Sequence, residues 1–196
     1  KMSTEKDLLV FDNQLQTELR NWNVLDHLKG LDVPDILKHQ PKNRFAVAAI
    51  NVEKGLNVGS MIRSAVCFGA DEFVIIGKSR YDKRSTVGAQ NYIQVTKKSF
   101  EDSLYYMSQQ SYFPVAIETD GKPWNERKEP GELDEFLRIN KYLRPCFVFG
   151  GEAEGIPEWF LDQCKFKYRI NQPGVLRSLN VSVAFGIILN SYINGY

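Results

Sequence analysis

The chain has 196 residues, 43% of them hydrophobic and 25% charged, a globular balance that excludes a mainly disordered, collagenous or coiled-coil chain and suffices for an unstapled core. No apolar run approaches the ~20 residues of a membrane span, and no apolar leader opens the sequence, so a cytoplasmic protein without membrane attachment is expected. The net charge of +1 singles out no partner by itself.

Residues 4–22 place Leu8, Phe11, Leu15, Leu19 and Trp22 at helical spacing. Residues 23–40 read as one or two short helices broken by Gly30 and Pro34, and Pro41 closes this part. Residues 1–43 are taken as a helical N-terminal extension and 44–196 as the main domain. In that domain an apolar strand is expected over 45–50, then an amphipathic helix over 57–68 with Asn57 as its N-cap. Strands at 73–77 and, more weakly, 92–95 follow, then a helix over 99–110. A strand over 113–118 runs into an Asp120-Gly121 turn, and a polar acidic stretch interrupted by Pro123 and Pro130 extends to Tyr142. Strands at 146–150 and 168–170 precede an apolar helix over about 178–193, expected to be buried nearly all round. Apolar strands alternating with helices define an α/β fold with a mainly parallel sheet and helices on both faces.

The side-chain inventory narrows the chemistry. Cys67, Cys146 and Cys164 form no CxxC pair, so neither a disulfide framework nor a zinc knuckle is indicated. His27 and His39 are the last histidines of the chain, which disfavours Ser-His-Asp catalysis and a histidine-held metal in the main domain. Charge is bipolar. Residues 77–98 hold six bases against one acid, and residues 165–196 hold four bases and no acid. Residues 99–164 hold thirteen acids against six bases. Two basic segments brought together by the fold could neutralise phosphates; a solvated surface balanced elsewhere is the plainer alternative.

Three segments concentrate polar residues and glycines. Asn57-Val58-Gly59-Ser60-Met61-Ile62-Arg63-Ser64-Ala65 has a core stripe of Val58, Met61, Ile62 and Ala65 and a polar side bearing Ser60, Arg63 and Ser64. It is either a capped helix with a surface arginine or a helix start fit to meet phosphate. Phe149-Gly150-Gly151-Glu152-Ala153-Glu154-Gly155-Ile156-Pro157 follows an apolar strand. It lacks both GxGxxG and GK[ST], yet its glycines permit close approach of a flat ligand. Residues 168–182, YRINQPGVLRSLNVS, carry more polar groups than helix capping requires.

In this order and spacing the three segments resemble the SpoU (TrmH) branch of the SPOUT superfamily of RNA methyltransferases, over about residues 44–194. The resemblance implies a six-stranded α/β domain with a deep trefoil knot in its C-terminal part, a rare exception to unthreaded topology. It also implies a homodimer acting on tRNA or rRNA. The implied reaction is transfer of a methyl group from S-adenosylmethionine to a ribose 2′-hydroxyl, leaving S-adenosylhomocysteine and requiring no metal. The cofactor would rest against Gly150, Ile170 and Leu179, with Ser178 and Glu118–Thr119 as further walls. Asn57, Arg63, Glu152, Ser178 and Asn180 match the active-site positions. Arg63 would grip the phosphate beside the target ribose, since a guanidinium is a poor base. Lys78, Arg80, Lys83 and Arg84 would face RNA, and Gln90 stands where relatives often carry an acid. The competing expectation is a catalytically silent RNA-binding or scaffold dimer that keeps the fold.

Overall fold

The computed structural model describes residues 23–41, 43–124 and 131–195. The helix predicted over 4–22 lies outside the described residues. The chain divides into two compact units, 1–40 and 41–196.

In the first unit a 3-10 turn, Asp26–Leu28, precedes helix α1, Val33–Lys38. Asp32 caps α1 by accepting a hydrogen bond from the Asp35 N–H at 2.9 Å. Pro34 therefore starts a helix instead of breaking one, because its missing N–H falls in a first turn that has no intrahelical acceptor.

The second unit is built on β1 (Ala46–Ile50), β2 (Glu72–Ile76), β3 (Gln94–Lys98), β4 (Tyr112–Pro123), β5 (Arg144–Gly150) and β6 (Phe166–Arg169). They form one sheet in the order β3-β2-β1-β5-β4-β6, with every pairing parallel. Alternation along β1 feeds two separate cores. Phe45, Val47 and Ala49 join one apolar cluster, and Ala46, Ala48 and Ile50 join the other. The first is covered by α2 (Gly55–Cys67), α5 (Glu132–Ile139) and α7 (Val181–Asn194). The second is covered by α4 (Phe100–Gln109) and α6 (Glu158–Leu161). A sixth helix of this unit, α3 (Lys83–Thr86), packs on α2.

Several boundaries differ from expectation. The third strand starts at Gln94, since Tyr92 and Ile93 are buried in a turn before it. Strand β4 continues through the predicted Asp120-Gly121 turn to Pro123, with an irregularity that pairs Tyr168 with both Ile117 and Lys122. Helix α5 occupies part of the polar acidic stretch to which no element is assigned from sequence. Its Leu133, Phe136 and Leu137 sit at helical spacing against the core. Helix α2 begins two residues before Asn57, with Lys54 as its cap and no side-chain capping bond. What holds this end is close packing. Gly55 O accepts from the Asp82 N–H at 3.0 Å, and a Cβ at Gly59 would lie 1.8 Å from Ser85 Oγ. Finally, α7 buries Val181, Phe185, Ile188 and Leu189 but leaves Val183 50% and Ile187 42% exposed, so it is apolar all round without being buried all round.

Candidate active site

A cleft of about 420 Å³ opens where β5 and β6 end, beside the middle of β4, at the carboxyl edge at which open parallel sheets bind ligands. Its floor is the loop after β5. Gly155 N–H donates to Gly151 O at 2.9 Å, and Gly155 has φ +66°. The turn is so tight that a Cβ on Gly150 would lie 2.2 Å from the Gly155 carbonyl carbon. Glu118, near the middle of β4, locks the same loop by accepting from the Ile156 N–H at 2.6 Å. Glycine spacing thus brings strand ends and loop backbone together without side chains between them.

A relay of side chains joins three distant segments. Asn180 caps α7, its Oδ1 accepting from the Ser182 N–H at 2.9 Å and the Ser182 hydroxyl at 2.6 Å. That fixes the amide orientation, so Asn180 Nδ2 donates to Asn57 Oδ1 at 3.2 Å. Asn57, only 9% exposed, then donates through Nδ2 to the Glu152 carboxylate. Each amide uses both of its ends, as the buried Asn57 must.

All six positions assigned to the cofactor line the cleft: Gly150, Ile170, Leu179, Ser178, Glu118 and Thr119. Glu152 lines it as well and ties it to Asn57 and Asn180. Arg63 is not brought to this group. Six residues along a helix turn it ~120° away from Asn57, onto the exposed side of α2. There it makes no hydrogen bond or ion pair with the described residues. Lys78, Arg80, Lys83 and Arg84 are all exposed. Arg84 is paired with Asp82 at 2.6 Å, and the guanidinium holds the Asp82 carboxyl below the usual carboxylate range. Gln90 is hydrogen-bonded to Thr86.

The sequence reading passed over two charged cleft residues, Arg177 and Glu154, although both lie inside the segments it singled out. Their signal was position: each is one or two residues from a residue already assigned. No cysteine is among the residues that line the cleft. Burial pushes Cys164 up to about 12 and Cys146 well above its ordinary value. Among the described residues, no group of three His, Cys, Asp or Glu is placed to hold a metal ion, and no helix is long and apolar enough to cross a membrane.

An all-parallel sheet with helices on both faces and a glycine-floored cleft at its carboxyl edge defines a ligand-binding α/β protein of the open-sheet class. The chain belongs to the SpoU rRNA methylase family, whose sequence profile matches residues 44–190. It is 27% identical over 152 residues to an uncharacterized tRNA/rRNA methyltransferase of Archaeoglobus fulgidus, covering 74% of this chain and 62% of that relative. It is 24% identical over 157 residues to the tRNA (guanosine(18)-2′-O)-methyltransferase of Mus musculus, covering 76% of this chain and 9% of that one. The chain therefore spans less than two thirds of the length of these two relatives. The crystal structure of an rRNA methyltransferase from Sinorhizobium meliloti with AdoMet bound shares the fold, with a TM-score of 0.65 and 24% identity over 83% of this chain and 60% of that one.

Proposed function

We propose that this chain transfers a methyl group from S-adenosylmethionine to a ribose 2′-hydroxyl of tRNA or rRNA. The observation that carries the proposal is the relay from Asn180 through Asn57 to Glu152 at the rim of a glycine-floored cleft. It joins all three segments of the family resemblance at one place. The cleft also fits the cofactor's chemistry: half-buried Gly150 and Ile170 on its wall suit a flat base, and Glu118, Glu152 and Glu154 suit a cation.

When bound, S-adenosylmethionine supplies a methyl group already activated on a positively charged sulfur. The protein's part is alignment and charge. Asn180 and Asn57 hold Glu152 in place, and Ser178, two residues before the cap, lines the cleft. Arg63 acts through its charge and its fork of N–H donors, not as a base. It grips the phosphate beside the target ribose and stabilises negative charge developing on the 2′-oxygen. Lys78, Arg80 and Lys83 bind neighbouring phosphates, and Arg84 adds less because Asp82 already claims it.

The position of Arg63 supports a homodimer. Its exposed helix side also carries Leu56, and α2 packs beside α7, whose Val183 and Ile187 face outward. A second copy seated on that apolar stripe would bring one protomer's Arg63 to its partner's cleft. Val183→Lys combined with Ile187→Lys is expected to yield monomers by sedimentation. A deep trefoil knot belongs to the same proposal.

The test is calorimetry with S-adenosylmethionine, then labelled cofactor with total tRNA and with rRNA, and mass spectrometry of the digested product. Ribose-methylated nucleosides are expected. Tight RNA binding without cofactor affinity would instead establish the silent RNA-binding dimer. Arg63→Ala should lower transfer by about a hundredfold or more while leaving cofactor affinity near wild type; normal transfer would remove Arg63 from the mechanism.

A further inference from the structure

Among the described residues that line the cleft, three carboxylates, Glu118, Glu152 and Glu154, face a single cation, Arg177. Two of the carboxylates are committed: Glu118 to the Ile156 N–H and Glu152 to the Asn57 amide. Arg177 is not. It forms no ion pair or hydrogen bond with the described residues, although acids border the same space. It sits on an exposed loop beside Ser178, with Val175 and Leu176 also facing outward. An arginine kept in a mostly acidic cleft without an internal partner is free to take one from outside. Its planar fork of N–H donors fits the two oxygens of a carboxylate or a phosphate equally well.

We propose that Arg177 is the oxyanion anchor of the cleft. It holds either the carboxylate at the amino-acid end of the cofactor or a phosphate of the RNA. The inference rests on the cofactor-dependent function above and assigns that site a residue which neither the relay nor the glycine floor supplies. The three carboxylates repel an oxyanion, so without Arg177 its entry would be opposed by every charged side chain lining the cleft.

The experiment compares wild type with Arg177→Gln and Arg177→Lys against three probes. These are S-adenosylmethionine, 5′-methylthioadenosine (which keeps the nucleoside and sulfur but lacks the amino-acid end) and total tRNA at two salt concentrations. If the anion is the cofactor carboxylate, Arg177→Gln weakens S-adenosylmethionine about ten- to hundredfold and leaves methylthioadenosine unchanged. If it is a phosphate, both small ligands bind as before. Affinity for tRNA then falls, and the salt dependence drops by about one phosphate contact. Arg177→Lys recovers part of the loss in either case, as a charge without the fork. Wild-type affinity of Arg177→Gln for all three probes overturns the proposal, as does an equal loss for S-adenosylmethionine and methylthioadenosine, which would mark a purely structural role. Failure of the wild-type protein to bind S-adenosylmethionine would refute the cofactor reading itself, and the tRNA measurement would still decide Arg177.

Discussion

Two loops border the cleft and are built in opposite ways. The loop after β5, residues 150–157, is closed on itself by the Gly151–Gly155 bridge, pinned by Glu118 and bound to Asn57 through Glu152. The loop before α7 has every residue from 173 to 179 exposed, and no hydrogen bond with the described residues holds it until Asn180 caps the helix. The first loop is paid for by folding alone. The second leaves its ordering to whatever enters the cleft, so part of the binding free energy is spent there. A site made this way keeps its floor and relay preorganised while its cover adapts.

The largest expected effect breaks the floor. Gly150→Ala puts a methyl group 2.2 Å from a backbone carbon that has no flexible end to yield. It should cost about 3 kcal/mol or more in denaturant unfolding. Wild-type stability would show that the floor is less tightly closed than the relay requires.

Next in size is the relay. Asn57→Ala removes the hydrogen bonds to the Glu152 carboxylate and the Asn180 amide, both of which water can reach, for about 0.5–1.5 kcal/mol. Asn57→Asp is more telling because its effect depends on pH. Two carboxylates sharing that contact would raise the folded-state pKa of the pair above its unfolded value. The stability this shared proton supplies is present at low pH and lost as pH rises through the raised value. Unfolding curves should therefore show the Asp variant closest to wild type at acid pH and falling behind it as pH rises, where an uncoupled relay would give a constant difference.

The same contrast explains what could be read before the fold was seen. The floor was legible because apolar runs at 45–50, 73–77 and 146–150 can only be buried strands, and because glycines directly after one of them announce close approach. The six positions that the family resemblance assigns to a cofactor line the cleft beside that floor. Arg63 was legible as a residue but not as a direction: its motif suggests company with Asn57, whereas 3.6 residues per turn sends it elsewhere. Asn57 looked like a cap because it is the best capping residue nearby. Gly55 and Gly59 let α3 close onto α2 and moved the helix start upstream. Helix α5 was hidden by its charges, although Leu133, Phe136 and Leu137 carried the period. Helices α3 and α6, four residues each, are too short for periodicity to register.

Exchange of backbone amides then sharpens the comparison without altering the protein. Adding S-adenosylmethionine should slow exchange over residues 174–179 strongly and at Gly155 and Ile156 little, because those two amides are already bonded in the free state. Equal protection in both loops would mean that the floor also forms on binding.

The smallest expected effect is a control on the whole contrast. Gly174 has no atom within 4 Å of a would-be Cβ and no left-handed backbone angle, so alanine fits there without strain. Gly174→Ala should leave stability unchanged or raise it by up to about 1 kcal/mol, through the entropy of the unfolded chain alone. Stiffening this loop also removes part of the ordering cost at the moment of binding, so cofactor affinity should stay level or improve slightly. A loss of stability comparable to that of Gly150→Ala would mean that the cover is packed as tightly as the floor, and the two loops would no longer be different kinds of structure.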